Sequence, residues 1–170
     1  MLNLRIGNGF DVHAFSEGRD LILGGVRIDY PYGLAGHSDA DVLIHSIIDS
    51  FLSPANIGDI GRLFPDSDPA FKNISSLDLL KNAYCRLIQN GFKIINTDSV
   101  VICDSPKIFP YIDLMKKNIS QAMNNELHPD LIGIKGKTTE KLGFTGRGEG
   151  IAVYTVSLLY HNSKEKAKDI

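Results

Sequence analysis

Asp11 and His13 place a carboxylate and an imidazole two residues apart, inside the stretch Gly9-Phe10-Asp11-Val12-His13. Side chains of an extended strand alternate faces, so these two point the same way, while Phe10 and Val12 are expected to point back into a core. A second polar group follows at His37-Ser38-Asp39-Ala40-Asp41, and His45 lies in the apolar run that starts there. A catalytic zinc ion takes three protein ligands and leaves a fourth position for water or substrate. Asp11, His13 and His45 meet that count, two from a strand and one from a helix packed over it. Asp49, one turn beyond His45, is then placed to orient a ligand histidine through its other nitrogen. In the competing reading His13 ends a strand, His45 is a hydrogen-bonded core residue and the aspartates are solvated. No HxxxH or CxxC signature decides between them.

A second chemistry-bearing stretch is Lys135-Gly136-Lys137-Thr138-Thr139-Glu140-Lys141, followed by Gly143-Phe144-Thr145-Gly146-Arg147-Gly148-Glu149-Gly150. Hydroxyls, cations and glycine-rich backbone are what phosphate oxygens need from a site. It is not a P-loop, because the glycine spacing is too short and no helical pattern starts at Thr138. Glu140 among these cations suits a salt bridge or a hard cation such as Mg²⁺. A flexible surface turn is the alternative. Asp66 and Asp68, in Pro65-Asp66-Ser67-Asp68-Pro69, have an ordinary turn composition. No nucleophile elbow and no activated cysteine is present, so covalent catalysis by the chain has little support.

These residues need a scaffold, and the pattern supplies one. Leu4 to Val12 reads as a strand, and 21–28 as strand, Gly24-Gly25 turn, strand. Val42, Leu43, Ile47, Phe51 and Leu52 recur at helical spacing over 39–53, putting Asp41, His45 and Asp49 on one face. Residues 56–73 are a long loop, which in a compact domain is usually functional or disordered. Ser75 caps a helix running to about Asn90; a strand over 92–103, a helix over 112–124 and strands over 131–134 and 151–160 follow. The expected class is α+β, a two-layer sandwich with helices on one face of a mixed sheet. One domain over 1–162 is expected, with a charged, frayed tail over 163–170.

Eighteen Lys and Arg against 20 Asp and Glu give a net charge of −2, which leaves no broad footprint for nucleic acid. Cys85 and Cys103 lie in apolar patterns and read as buried, reduced thiols. No leader and no apolar run of membrane-spanning length is evident, so the expectation is a cytoplasmic, single-activity chain with no membrane partner.

Four segments, in order, closely resemble one family. They are Arg5 to Phe15; His37-Ser38-Asp39-Ala40-Asp41-Val42 with His45; Gly58-Asp59-Ile60-Gly61 with Phe64 to Pro69; and Thr138 to Gly150. The family is 2-C-methyl-D-erythritol 2,4-cyclodiphosphate synthase, and the likeness runs from Arg5 to about Leu159. It implies ferredoxin-like elements assembled as a homotrimer around its sheets, with each active site shared between neighbouring subunits. It implies the closure of 4-diphosphocytidyl-2-C-methyl-D-erythritol 2-phosphate to the 2,4-cyclodiphosphate with loss of CMP, in non-mevalonate isoprenoid biosynthesis. Under the resemblance Asp11, His13 and His45 hold Zn²⁺, and Glu140 holds Mg²⁺ or Mn²⁺ on the diphosphate. His37 and Thr138 stabilise the transition state, with Ser38 and Lys137 near the phosphates, and Val12 and Thr139 also bind substrate. Asp59, Ile60, Gly61, Phe64, Pro65, Asp66, Ser67 and Asp68 meet the methylerythritol. Cys103, Asp104, Ser105, Pro106, Lys107, Ile108 and Phe109 line a cytidine pocket from the neighbouring subunit. Phe144 and Arg147 complete the binding set, and an isoprenoid diphosphate near Arg147 and Glu149 is a further expected ligand. Asn8 and Lys137 depart from the family's usual histidine and threonine.

Overall fold

Strand β1 (Leu4–Ser16) pairs antiparallel with β7 (Gly150–His161), from Leu4↔Tyr160 to Ala14↔Gly150. In this computed structural model, which describes residues 3–65, 67–71 and 74–162, β7 pairs antiparallel in turn with β5 (Phe92–Ile102). β5 pairs in parallel with β6 (Ile132–Lys137), and β4 (Gly33–Leu34) adds a short edge beside β1, giving the order β4-β1-β7-β5-β6. Parallel neighbours need a crossover, which α4 (Ile112–Ala122) provides between β5 and β6. β2 (Leu21–Leu23) and β3 (Val26–Ile28) form a separate hairpin whose Gly24 and Gly25 have φ of 58° and 68°, the doubly positive turn that favours glycine. The mixed sheet with helices on one face is the expected α+β class. The tail over 163–170 lies outside the described residues, as does Asp66. Among the described residues, no helix is long and apolar enough to cross a membrane.

Helix α1 (Val42–Leu52) lies at the centre, over β1, β7 and β5, with α3 (Ser76–Gln89) packed beside it. Every residue of α1 except His45 and Asp49 is buried. A helix surrounded on nearly all sides must be apolar nearly all round, and its one incompletely buried stripe is where chemistry can reach a cavity. Small residues let α1 settle directly on β1. A Cβ on Gly9 would lie 1.9 Å from the Ser46 carbonyl oxygen, and one on Gly7 would lie 2.2 Å from that of Ser50.

At this close approach, buried hydroxyls replace larger apolar groups. Ser46 Oγ meets Thr155 Oγ1 at 2.8 Å, which also meets Ser99 Oγ at 2.9 Å; Ser50 Oγ meets Ser157 Oγ at 2.6 Å, and Ser157 Oγ donates to Thr97 Oγ1 at 3.2 Å. Every buried side-chain polar atom among the described residues has a partner, so the helix–sheet contact carries no desolvation penalty from an unpaired hydroxyl.

This contact reverses one expectation. Gly7, Gly9, Asp11 and His13 form the face of β1 turned toward α1, whereas Ile6, Phe10 and Val12 point to the opposite face and are 75%, 60% and 41% exposed. Large apolar residues ordinarily mark the core face, but here the core face needs glycine to admit the helix. Exposed Tyr154, Val156 and Tyr160 of β7 lie on the strand beside them. Cys85 is likewise exposed, against expectation, on the outer side of α3; Cys103 is buried, and burial pushes its thiol up to about 11.

Candidate active site

Asp11, His13 and His45 converge. Asp11 Oδ2 lies 3.0 Å from His13 Nε2 and 3.2 Å from His45 Nδ1, and the two ring nitrogens are 3.2 Å apart. Bonds of zinc to nitrogen and oxygen near 2.0–2.1 Å in a tetrahedron put neighbouring ligand atoms roughly 3.3 Å apart, so these separations are those of three corners around one ion. The chemistry of the donors agrees. His13 Nδ1 contacts the Ala35 carbonyl, which can only accept, so the ring proton sits there and Nε2 presents a lone pair to the cluster. Three lone-pair donors facing one point repel each other unless a cation or a proton lies between them. These three residues could hold a metal ion.

Two elements invisible to pattern reasoning set this geometry. β4 pairs with the end of β1, and the Ala35 N–H donates to Ala14 at 2.9 Å, which fixes the carbonyl that His13 needs. Arg19 donates to the carbonyls of Gly36 at 2.9 Å and Ser38 at 2.5 Å, holding the His37 loop from outside. Burial would push the Asp11 carboxyl up, but hydrogen bonds and charge from His13 and His45 outweigh it and hold it well below the usual carboxylate range. Burial opposes the charged form of His13 too, but the Asp11 and Ala35 contacts raise it above its ordinary value.

The stripe Asp41, His45, Asp49 does not act as one group. Asp41 is fully buried and caps α1, accepting from Ile44 N–H at 3.1 Å and Gly25 N–H at 2.7 Å. Asp49, expected to orient His45, instead accepts the Ile60 N–H at 2.8 Å and so anchors α2 (Ile60–Leu63). The outward nitrogen of His45, Nε2, meets Ser76 Oγ at 3.0 Å and Ser38 Oγ at 3.3 Å.

A cavity of about 260 Å³ opens over the cluster and is lined as well by His37, Ser38, Ile60, Gly61, Phe64, Phe71 and Leu79. Asp59 lies outside this lining and caps α2, accepting the Arg62 N–H at 2.8 Å. Pro65, Ser67 and Asp68 are exposed beyond it, and Val12 faces the other side of the sheet while its N–H donates to Asp11 Oδ1 at 2.8 Å.

The remaining candidates gather elsewhere. A separate cavity of about 700 Å³ is lined by Cys103, Pro106, Lys107, Ile108 and Phe109 together with Lys137 and Thr138. Asp104 accepts the N–H groups of Thr139 at 3.0 Å and Lys141 at 3.2 Å, bending the chain so that Glu140 and Lys141 take φ of 53° and 67°. Thr138 Oγ1 donates to Glu140 Oε1 at 2.5 Å. Ser105 is exposed beside Pro106. Phe144 lies in the short helix α5 (Gly143–Gly146), 37% exposed, and Arg147 pairs with Glu149 at 2.6 Å. The two cavities share no lining residue.

The profile of the YgbB family matches residues 4–160. A curated relative from Clostridium acetobutylicum, named 2-C-methyl-D-erythritol 2,4-cyclodiphosphate synthase, is 54% identical over 92% of this chain and 99% of its own length. The chain belongs to the YgbB family. A second synthase of that name, from Azoarcus sp., is 53% identical over 91% of this chain and 94% of its own. Among solved structures of this fold, the bifunctional IspDF of Campylobacter jejuni aligns with a TM-score of 0.90 at 46% identity, over 95% of this chain and 43% of that one. The CDP complex of Plasmodium falciparum IspF aligns with a TM-score of 0.81 at 35% identity, over 96% and 99%.

Within this YgbB-family site, buried Asp41 makes a pH prediction. Burial pushes its carboxyl up to about 6, with Gly25 opposing and Asp39 adding to the shift. A carboxyl whose folded value exceeds its unfolded one holds its proton more tightly when native, so folding is penalised as pH rises from about 4 through 6. The penalty at neutral pH is roughly 3 kcal/mol. In urea unfolding of the metal-free chain, Asp41→Asn should therefore gain on wild type by about that amount between pH 4 and 7, over a constant offset from its lost acceptor. A difference that does not move with pH would count against it.

Proposed function

We infer that the chain is a phosphorus–oxygen lyase that cyclises 4-diphosphocytidyl-2-C-methyl-D-erythritol 2-phosphate to 2-C-methyl-D-erythritol 2,4-cyclodiphosphate, releasing CMP. The convergence of Asp11, His13 and His45 at the floor of a cavity, in a chain of this family, carries the reading. An oxygen of the 2-phosphate attacks the β-phosphorus; the bond from that phosphorus to the α-phosphate oxygen breaks, and CMP leaves with the electron pair. The nucleophile belongs to the substrate, in keeping with the lack of an activated nucleophile in the chain. Phosphoryl transfer asks chiefly for positioning and for neutralisation of oxygen charge.

The donor set fits Zn²⁺, which when bound supplies a Lewis acid for a phosphate oxygen. Asp11, His13 and His45 would be its ligands in this reading, and Glu140 would hold Mg²⁺ or Mn²⁺. His37 and Ser38 reach the phosphates from the cavity wall, and Thr138, with Lys137, from the other cavity, with Thr139 beside them. The methylerythritol lies along Ile60, Gly61 and Phe64. The cytidine occupies the pocket of Cys103 to Phe109 in this reading, and the CDP complex of the Plasmodium falciparum relative supports a cytidine-diphosphate-linked substrate. Arg147 and Glu149 remain candidates for an isoprenoid diphosphate.

One chain holds the metal cluster and the cytidine pocket in separate cavities, which supports a site completed between subunits of a homotrimer. The exposed apolar face formed by Ile6, Phe10 and Val12 with Tyr154, Val156 and Tyr160 is the surface such an assembly would cover. Phe10→Asp would bury a charge there, so sedimentation should show the variant as monomer, with zinc binding retained and turnover lost. A trimeric Phe10→Asp chain would place the interface elsewhere.

The reaction itself is tested by phosphorus NMR of the chain with the cytidyl substrate and Mg²⁺. Cyclic diphosphate with stoichiometric CMP is expected. A linear product would make the chain a metal-dependent phosphoester hydrolase, using the same three ligands to activate water.

A further inference from the structure

We propose that Asp39, acting through the Ser76 hydroxyl, is a positioning residue that selects the His45 tautomer able to bind metal. The inference rests on the reading of Asp11, His13 and His45 as a metal centre. An imidazole ligand must offer a lone pair to the ion and keep its proton on the other nitrogen. For His13 the Ala35 carbonyl settles this. For His45 the outward Nε2 faces only hydroxyls, Ser76 Oγ at 3.0 Å and Ser38 Oγ at 3.3 Å. A hydroxyl donates or accepts with equal ease. If either donated to Nε2, the ring proton would move to Nδ1 and close the position between Asp11 and His13.

Asp39 removes the ambiguity. Its Oδ1 accepts the hydrogen bond of the Ser76 hydroxyl, and its Oδ2 accepts the Ser76 backbone N–H at 3.0 Å. A carboxylate only accepts, so the Ser76 proton is committed to Asp39 and the Ser76 oxygen is left to receive Nε2–H. The chain holds Asp39 firmly in place: its N–H donates to Ile74 at 3.2 Å, and Ala40 follows in the left-handed region at φ 57°. Ser76 is wholly buried at the start of α3. Ser38 Oγ, the competing hydroxyl, accepts the Ala40 N–H at 3.0 Å and lies farther from Nε2 than Ser76 Oγ does. Carboxylate, hydroxyl and imidazole thus form a relay one residue longer than the usual carboxylate–histidine pair behind a metal.

Asp39→Asn is the informative variant because it keeps the shape and inverts the direction. Two backbone donors face Asp39, Ser76 N–H at 3.0 Å on Oδ2 and Asp41 N–H at 3.3 Å on Oδ1. The closer one claims the amide oxygen, and the amide NH₂ then faces Ser76 Oγ. That hydroxyl must turn and donate to His45 Nε2, which drives the ring proton onto Nδ1.

The experiment uses the full chain as wild type, Asp39→Asn and Ser76→Ala. Zinc affinity is measured by competition with a chromophoric chelator, and the His45 tautomer of the metal-free chain by long-range proton–nitrogen NMR. Asp39→Asn should weaken zinc by about 10- to 100-fold, the range for loss of an outer partner, and should move the His45 proton from Nε2 to Nδ1. Ser76→Ala should weaken zinc in the same direction, and carries the test if Asp39→Asn does not fold. Unchanged affinity, or weaker affinity with the proton still on Nε2, overturns the relay while leaving the metal centre intact. A wild-type chain that binds no zinc overturns the metal reading on which the relay rests.

Discussion

With Asp11, His13 and His45 as the inferred zinc ligands, His45→Ala is expected to purify as a folded chain that binds no stoichiometric zinc and forms cyclic diphosphate more than about a hundredfold more slowly, since loss of an outer partner alone reaches that range. His45 is one of only two residues of α1 that are not fully buried, so truncation opens space toward the cavity and leaves the packed faces of the helix alone. What disappears is one of three converging donors, with Asp11 Oδ2 and His13 Nε2 left 3.0 Å apart, an ion pair once Nε2 gains a proton. Metal analysis, thermal unfolding and phosphorus NMR on the same preparation separate the effects. A variant that keeps both its zinc and its turnover would remove His45 from the site.

Gly9→Ala should be the most damaging single methyl in the chain. The added Cβ meets the Ser46 carbonyl oxygen at 1.9 Å, with the Ser46 carbonyl carbon and the Ser50 nitrogen at 2.9 Å. All three are helix backbone, so no side chain can turn aside and α1 itself must lift. Overpacking of this sort costs about 3 kcal/mol, and here it also breaks the hydrogen bond from Ser46 Oγ to the Gly9 carbonyl at 3.1 Å. β1 carries Asp11 and His13 while α1 carries His45, so the same displacement spreads the three candidate metal ligands. Urea unfolding and zinc competition should fall together. A stable Gly9→Ala chain with normal zinc affinity would mean that the helix can yield more than its packing indicates.

Local sequence determined the elements and the chemistry of the site. Alternation along Leu4–Ser16 placed Asp11 and His13 on one face, because the strand period is fixed by the backbone. Helical spacing from Val42 put His45 on a helix, and the four motifs identified the family. These are short-range properties, set by residues a few positions apart.

Tertiary structure decided what those properties were used for. Which face of β1 is the core could not be read from its residues: Phe10 and Val12 look like core, yet glycine faces the helix because backbone contact leaves no room for a side chain. Asp41, His45 and Asp49 share a stripe, but Gly25 claims the first and Ile60 the third, partners distant in sequence. β4 and its neighbouring Ala35 carbonyl, which fix the proton on His13, are too short to leave a periodic signal. Ser76 reads as one more hydroxyl at a helix start, and becomes a partner of His45 only when α3 docks beside α1. Residue type and spacing specify which donors exist. The direction of a proton, the face that is buried and the cavity a side chain enters depend on long-range contacts, which come into being only when the chain closes on itself.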